Sequence, residues 1–275
     1  MSRTQGTVEV NGARLHFELA GRGDPLVLLH AGICDGRMWD AQFDALAAGR
    51  RVVRYDRRGF GRTTQGSEAF SHVEDLSGLL GHLNQGRVTL VGCSQGAKIA
   101  LDFALTSPGA VDSLVLVAPA VSGYSYAAAA PPQYDEIERA EAAGDVGRVN
   151  ELELQIWVDG PRRSPGEVGP AVRELVREMN HAALNATAGE ELPSGVNAAG
   201  RLDEVRAPTL VVVGDLDTPR TLEAAGALAR GVRGARLEVV RGAAHLPNME
   251  RPGEFNRLLL DFLSDPGAGA GSEDR

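Results

Sequence analysis

Hydrophobic and polar positions alternate through "TVEVNGARLHFEL" (7–19) on both sides of Asn11-Gly12, a dipeptide suited to the two positive φ angles of a tight hairpin turn. The chain is therefore expected to open with an antiparallel hairpin. Beyond it the pattern changes. Short apolar runs recur at 25–30, 51–56, 87–92, 113–118, 209–214 and 236–241, separated by longer amphipathic stretches. Unbroken apolarity of this kind is what strands buried on both faces require. Between the runs, Trp39, Phe43 and Leu46 fall at helical spacing, as do Leu76, Leu79, Leu80 and Leu83, and Phe255, Leu258, Leu259 and Phe262. Strand and helix in alternation imply parallel strands joined by right-handed crossovers. The expected fold class is α/β, a mostly parallel doubly wound sheet behind an N-terminal antiparallel hairpin.

One interval breaks the rhythm. From 121 to 207 there is no buried-strand run, only helical patterns such as "PPQYDEIERAEAAGD", "RVNELELQIWVDG" and "PAVRELVREMNHAALNA". Prolines 131, 132, 161, 165 and 170 divide it into short helices, and Pro208 precedes the next strand run. The pattern predicts a core of residues 1–120 and 208–264, a helical insertion over 121–207, and a disordered tail over 265–275, where "DPGAGAGSEDR" has nothing to bury.

Composition narrows the class of protein. A chain of 275 residues, 43% hydrophobic and 24% charged, has the make-up of an ordinary globular protein with room for one sizeable core. Its net charge of -9 gives no electrostatic reason to expect nucleic acid or an anionic membrane surface as a partner. No apolar run is long enough to span a bilayer and the N-terminus lacks a signal-like apolar segment, so no membrane insertion and a cytoplasmic location are expected. Cys34 and Cys93 are too few for a disulfide framework and are expected as free thiols, with Cys93 a small packing residue. The histidines show no metal-ligand spacing and no dinucleotide fingerprint is present, so neither metal nor organic cofactor is expected.

Chemistry concentrates in "RVTLVGCSQGAKIA" (87–100), a buried-strand pattern that stops at a serine between two glycines and continues as a helix. Such a turn presents a hydroxyl at the carboxyl edge of a parallel sheet, and it crowds strand against helix so closely that the flanking positions, Gly92 and Gly96, have no room for a Cβ. Ser94 is the candidate nucleophile. A serine hydroxyl needs a base, and the base needs an orienting carboxylate. His16, His72, His82 and His181 fall in elements where packing or surface roles are expected, and His30 ends a strand where a structural hydrogen bond is expected. His245 follows the last strand run in a small-residue loop and is the candidate base. "VVVGDLDTPRT" (211–221) offers two acids, Asp217 by preference and Asp215 as the alternative, and either could instead cap the helix that Pro219 begins. The oxyanion formed by attack on a carbonyl needs backbone N–H donors. Gln95, after the serine, is one candidate, and Gly32 is the other, with its neighbour Ile33 left open.

The landmarks "LLHAGICDGRMW", "RYDRRGFGRT" (54–63), "VGCSQG", "VVVGDLDTP" and "GAAHLPNMERP" occur in the order found in the α/β-hydrolase fold family, which the chain resembles over nearly its whole length. Within that family it is most similar to small carboxylesterases and 3-oxoadipate enol-lactonases. The resemblance implies Ser94 as nucleophile, Asp217 as acid, His245 as base, and the insertion as a cap over the pocket. The chain departs from the family's common forms in its His30-Ala31-Gly32 loop, in Cys93 before the serine and in Gly96-Ala97 after it. A serine also separates it from relatives with an aspartate nucleophile.

The expected activity is hydrolysis of a small carboxylic ester or lactone through an acyl-enzyme, by a monomer or homodimer. Carbon–carbon bond hydrolysis or cofactor-free perhydrolysis on the same triad is the alternative chemistry, and a ligand sensor that keeps the fold is the alternative class. Ile33, Tyr124, Tyr126, Trp157 and Leu246 are the candidate pocket residues, although the cap's aromatics could equally form its own small core. The acidic run Asp135, Glu136, Glu138 and Glu141 reads as a solvated helix face.

Overall fold

The computed structural model describes residues 3–84 and 86–265. Positions 266–275 of the expected disordered tail lie outside the described residues. Asn11 and Gly12 adopt φ of 47° and 81°, and the hairpin they close joins strands β1 (Arg3–Val10) and β2 (Ala13–Ala20). The chain continues through β3 (Pro25–Leu29), α1 (Asp40–Ala47), β4 (Arg51–Tyr55), the short β5 (Thr64–Gln65), α2 (His72–His82), β6 (Val88–Cys93), α3 (Gln95–Thr106) and β7 (Val111–Val117). Helices α4 (Tyr134–Ala142), α5 (Val146–Leu154) and α6 (Pro170–Leu184) fill most of the next interval, with a π-helical turn over Gln155–Asp159. The sheet resumes with β8 (Thr209–Gly214), α7 (Pro219–Gly231) and β9 (Arg236–Val240), and the chain closes with α8 (Pro247–Glu250) and α9 (Pro252–Ser264).

Among the described residues the strands form one sheet in the order β1-β2-β4-β3-β6-β7-β8-β9, with β5 paired to β2. The pairs from β4 through β9 are parallel, and β2 runs antiparallel to its neighbours β1 and β4. Alternation along each central strand divides the core in two. Val27, Leu29, Leu90, Leu114, Val211 and Val213 join α2, α3 and α7 on one face. Leu26, Leu28, Val91, Val115, Leu210 and Val212 join α1 and α9 on the other, against Trp39, Phe43, Phe255 and Phe262.

The last apolar run departs from the expected two-sided burial. β9 is the sheet's edge, so its alternate residues point outward, and Leu237 and Val239 remain 41% and 47% exposed. No helix among the described residues is long and apolar enough to cross a membrane.

The interval between β7 and β8 is tied down at both ends. Ala118 donates its N–H to the Val212 carbonyl (2.7 Å) as the chain leaves the sheet, and the Leu114 N–H reaches the Pro208 carbonyl (2.9 Å) as it returns. The hydroxyls of Ser122 and Ser194 both donate to the same carboxylate oxygen of the buried Asp102 on α3, each at 2.6 Å.

Candidate active site

Ser94 occupies the turn between β6 and α3 with φ 54° and ψ -113°, a left-handed conformation that costs a non-glycine residue about 1–3 kcal/mol. The surrounding packing enforces it. Ser94 donates its N–H to the Val117 carbonyl (2.9 Å), and its own carbonyl accepts from Lys98 N (3.0 Å) as the first helical bond of α3. A Cβ on Gly96 would press into the backbone carbonyls of Leu29 and His30, and one on Gly92 would collide with the backbone of Gly96 and Ala97. Both glycines are thus required by close approach of strand, turn and helix.

The ends of β8 and β9 supply the other two groups. Asp217 and His245 are both almost fully buried, and His245 Nδ1 lies 2.9 Å from Asp217 Oδ2 and 3.1 Å from Oδ1. A carboxylate only accepts, so Nδ1 is the donor, which selects the tautomer whose lone pair is on Nε2. Asp217 is itself held by Thr218 N, which donates to Oδ1 at 2.6 Å. Asp215, the alternative acid, is occupied elsewhere: its Oδ1 accepts from Gly242 N at 2.6 Å. The Trp157 ring leans on the imidazole with centroids 4.5 Å apart, and the Cys93 thiol sits behind it, 3.7 Å from the His245 carbonyl. Burial pushes the Cys93 thiol well up, so it stays protonated and inert.

A cavity of about 480 Å³ opens beside these residues, lined on its floor by Ala31, Gly32, Ile33, Ser94, Gln95 and His245. Trp157, Tyr126, Tyr134 and Ile137 from the β7–β8 interval form its roof, with Arg220 and Thr221 from α7 at one side. Of the candidate pocket residues, Ile33, Tyr126 and Trp157 line it. Tyr124 and Leu246 do not line the cavity. The Tyr124 ring stacks edge-on against Tyr126 at 5.0 Å and its hydroxyl donates to Glu223 at 3.2 Å, so it backs the wall from outside. Leu246 is fully buried in the core beneath α8.

The amides of Gly32 and Gln95 face no protein acceptor among the loop, turn and cap hydrogen bonds of the described residues. His30 is structural, as expected. Its Nδ1 donates to the Ala31 carbonyl (2.8 Å) and its Nε2 accepts from Arg57 N (3.0 Å), and burial with Arg57 nearby holds its pKa far below the ordinary value.

Sequence reasoning passed over three lining or supporting groups. Glu138, an exposed residue of the acidic run, also lines the cavity. Glu153 also lines it, its pKa raised by burial and its carboxylate held by Asn180 Nδ2 at 2.6 Å. Arg220 donates through Nε to the Ala128 carbonyl (3.0 Å) and lies over the Tyr126 ring at 5.3 Å. Each depends on how the helices of the interval fold back over the sheet, which helical periodicity does not encode. Only Arg220, beside Pro219 and Asp217, carried a positional signal.

Known proteins resemble this chain over most of their length. A 2-hydroxy-6-oxo-6-phenylhexa-2,4-dienoate hydrolase of Comamonas testosteroni is 27% identical over 259 residues, covering 90% of this chain and 91% of the relative. Among solved structures, the N-acyl homoserine lactone degrading enzyme Est816 superposes with a TM-score of 0.77 at 29% identity, covering 93% of this chain and 99% of its own. A thermophilic esterase of Thermogutta terrifontis gives a TM-score of 0.77 at 27% identity, with 97% and 99% covered. The model of the alpha/beta hydrolase family matches residues 26–258, from β3 into α9 and across every group described above, and the chain belongs to that family.

Proposed function

We propose that this hydrolase cleaves a small carboxylic ester or lactone through an acyl-enzyme, with Ser94 as nucleophile, His245 as general base and Asp217 as the orienting acid. The observation that carries the reading is the buried Asp217–His245 pair at 2.9 Å, sharing one cavity with a serine held at positive φ. His245 Nε2, left unprotonated by that pairing, accepts the Ser94 proton as Oγ attacks the carbonyl carbon, and returns it to the leaving alkoxide. Asp217 keeps the tautomer fixed and stabilises the imidazolium formed in between. The Gly32 and Gln95 amides donate to the oxyanion. Water activated by His245 then attacks the acyl carbon and releases the acid and Ser94.

Residues 121–207 act in this reading as a cap, since the interval supplies the cavity's aromatic roof. The cavity's volume of about 480 Å³ and its mixed apolar and polar lining suit a small substrate. The lactone-degrading and esterase relatives support ester or lactone cleavage, and the dienoate hydrolase supports carbon–carbon bond cleavage on the same three residues as the second reading.

The test is hydrolysis of p-nitrophenyl esters from acetate to decanoate and of small lactones by wild type and Ser94→Ala, with fluorophosphonate labelling in parallel. Turnover and labelling that both vanish in the variant support the proposal. A labelled, folded wild type that turns over only vinylogous diketone acids favours the second reading. Absence of labelling at Ser94 refutes both.

A further inference from the structure

Arg57 lies in "RYDRRGFGRT", behind the cavity floor, and its guanidinium is fully buried. Burying a charge is costly, and the usual compensation is a carboxylate. Here the hydrogen-bond acceptors are neutral. Nη2 donates to the Ala31 carbonyl at 3.2 Å, and Nη1 donates to Gln95 Oε1 at 3.2 Å and faces His72 Nε2 at 3.2 Å. The Phe60 ring covers its face at 4.5 Å, while Nε is buried without a partner. Two of the three acceptors belong to the segments that carry the oxyanion donors.

The geometry of the peptide unit gives this grip a consequence. The Ala31 carbonyl and the Gly32 N–H share one planar trans peptide and point in opposite directions. Holding that carbonyl against Arg57 and His30 Nδ1 therefore fixes the Gly32 N–H toward the opposite side, where Gly32 lines the cavity. The same guanidinium anchors the Gln95 side chain, which lies against Gly32 so closely that a Cβ there would stand 2.9 Å from Gln95 Cδ. One rigid fork thus couples the loop after β3 to the first turn of α3.

We infer that Arg57 is a positioning residue that presets the two backbone donors of the oxyanion hole, by gripping the Ala31 carbonyl and the Gln95 side chain together. The inference rests on the serine-hydrolase reading. It assigns to a residue outside the triad, and out of reach of substrate, control over the stability of the tetrahedral intermediate. A lysine would keep the charge but lose the planar fork that reaches both acceptors.

The experiment compares wild type, Arg57→Lys, Arg57→Met and Gln95→Met in p-nitrophenyl acetate kinetics, fluorophosphonate labelling and inhibition by phenylboronic acid, which forms a tetrahedral adduct. Circular dichroism and thermal melts identify the folded variants. The expected result is a fall in kcat of about 10- to 100-fold in the Arg57 variants with KM within about twofold, since loss of one donor costs up to 10³ and misalignment costs less. Boronate affinity falls in parallel, while competitive inhibition by the planar product acetate is unchanged. Gln95→Met, which keeps Arg57 and the backbone donor, falls about 3- to 10-fold and carries the test if neither Arg57 variant folds. Folded variants with undiminished kcat and boronate affinity overturn the inference, as does a loss confined to KM. A wild type that Ser94-directed reagents do not label overturns the hydrolase reading and this inference with it, whereas a labelled wild type beside equally reactive variants overturns this inference alone.

Discussion

Asp217 meets His245 with both carboxylate oxygens, 2.9 and 3.1 Å from Nδ1, while Asp215 two residues earlier turns away to bond Gly242 N. The two acids predict different consequences. Asp217→Asn presents an amide that can hold the wrong imidazole tautomer, and kcat is expected to fall by about 10³- to 10⁴-fold. Asp215→Asn is expected to alter kcat by no more than about threefold and to act on the β9 loop instead. Steady-state ester hydrolysis by the two variants decides between them, and equal losses would remove Asp217 from its assigned place.

The Ser94 turn has no spare volume. A methyl at Gly96 meets two backbone carbonyls that cannot move without opening the β3–β6 pairing, so Gly96→Ala is expected to destabilise the fold by about 3 kcal/mol. Urea denaturation measures it. A variant as stable as wild type would show that the turn is looser than described.

Trp157 packs on His245 from the π-helical turn and closes one side of the cavity. Trp157→Ala opens that side and removes the lateral support of the imidazole. Acyl-chain preference is expected to move toward longer esters, with kcat on the acetate lowered about tenfold. An unchanged chain-length profile would place the acyl group elsewhere.

Asp159 ends the same turn, buried and paired in a fork to Arg173, which also binds Glu151. Removing one partner leaves the other charge stranded, so Asp159→Asn should cost about 3 kcal/mol in a denaturation experiment. A much smaller loss would mean that Glu151 alone satisfies Arg173.

His72 is held neutral: burial first, then Arg57, pushes its pKa down from 6.5 to about 2. The unfolded chain therefore takes up the proton first as pH falls. Stability is full above 6.5 and is lost below it, at a slope of up to about 1.4 kcal/mol per pH unit for this residue. His72→Gln keeps an acceptor for Arg57 without titrating, and its urea midpoint should decline less steeply than that of wild type between pH 6.5 and 4.5. Parallel declines would contradict the assignment.

The sheet and the Ser94 turn were legible because their causes are local. Strand burial, the paired glycines and the serine lie within ten residues of one another, and the positions of His245 and Asp217 follow from strand ends. The sequence favoured Asp217 over Asp215 without excluding the latter, since the choice depends on which side chain the β8 turn aims at the imidazole and which at Gly242. Tyr124 failed as a lining residue because Glu223 captures its hydroxyl from a helix nearly a hundred positions away. Glu153 went unnoticed for a similar reason. Its neighbour Asn180 is fixed by Asn150 across two helices, a network visible only after packing. Edge placement likewise decided β9, where Arg236 and Glu238 interrupt the apolar run.

The attachments of the 121–207 interval have a meaning for how such a molecule can change. Its chain leaves the carboxyl end of β7 and re-enters at the amino end of the parallel β8, but on the way Asp102 fastens Ser122 and Ser194 to one point on α3. The 123–193 segment therefore begins and ends beside one carboxylate oxygen, so loop closure adds little cost when that segment is lengthened, shortened or exchanged. Ser94, Asp217 and His245 lie outside that segment, at the ends of β6, β8 and β9. Under the proposed function the segment is a replaceable cassette, and changes there are expected to rewrite selectivity while Ser94, Asp217 and His245 keep their registration.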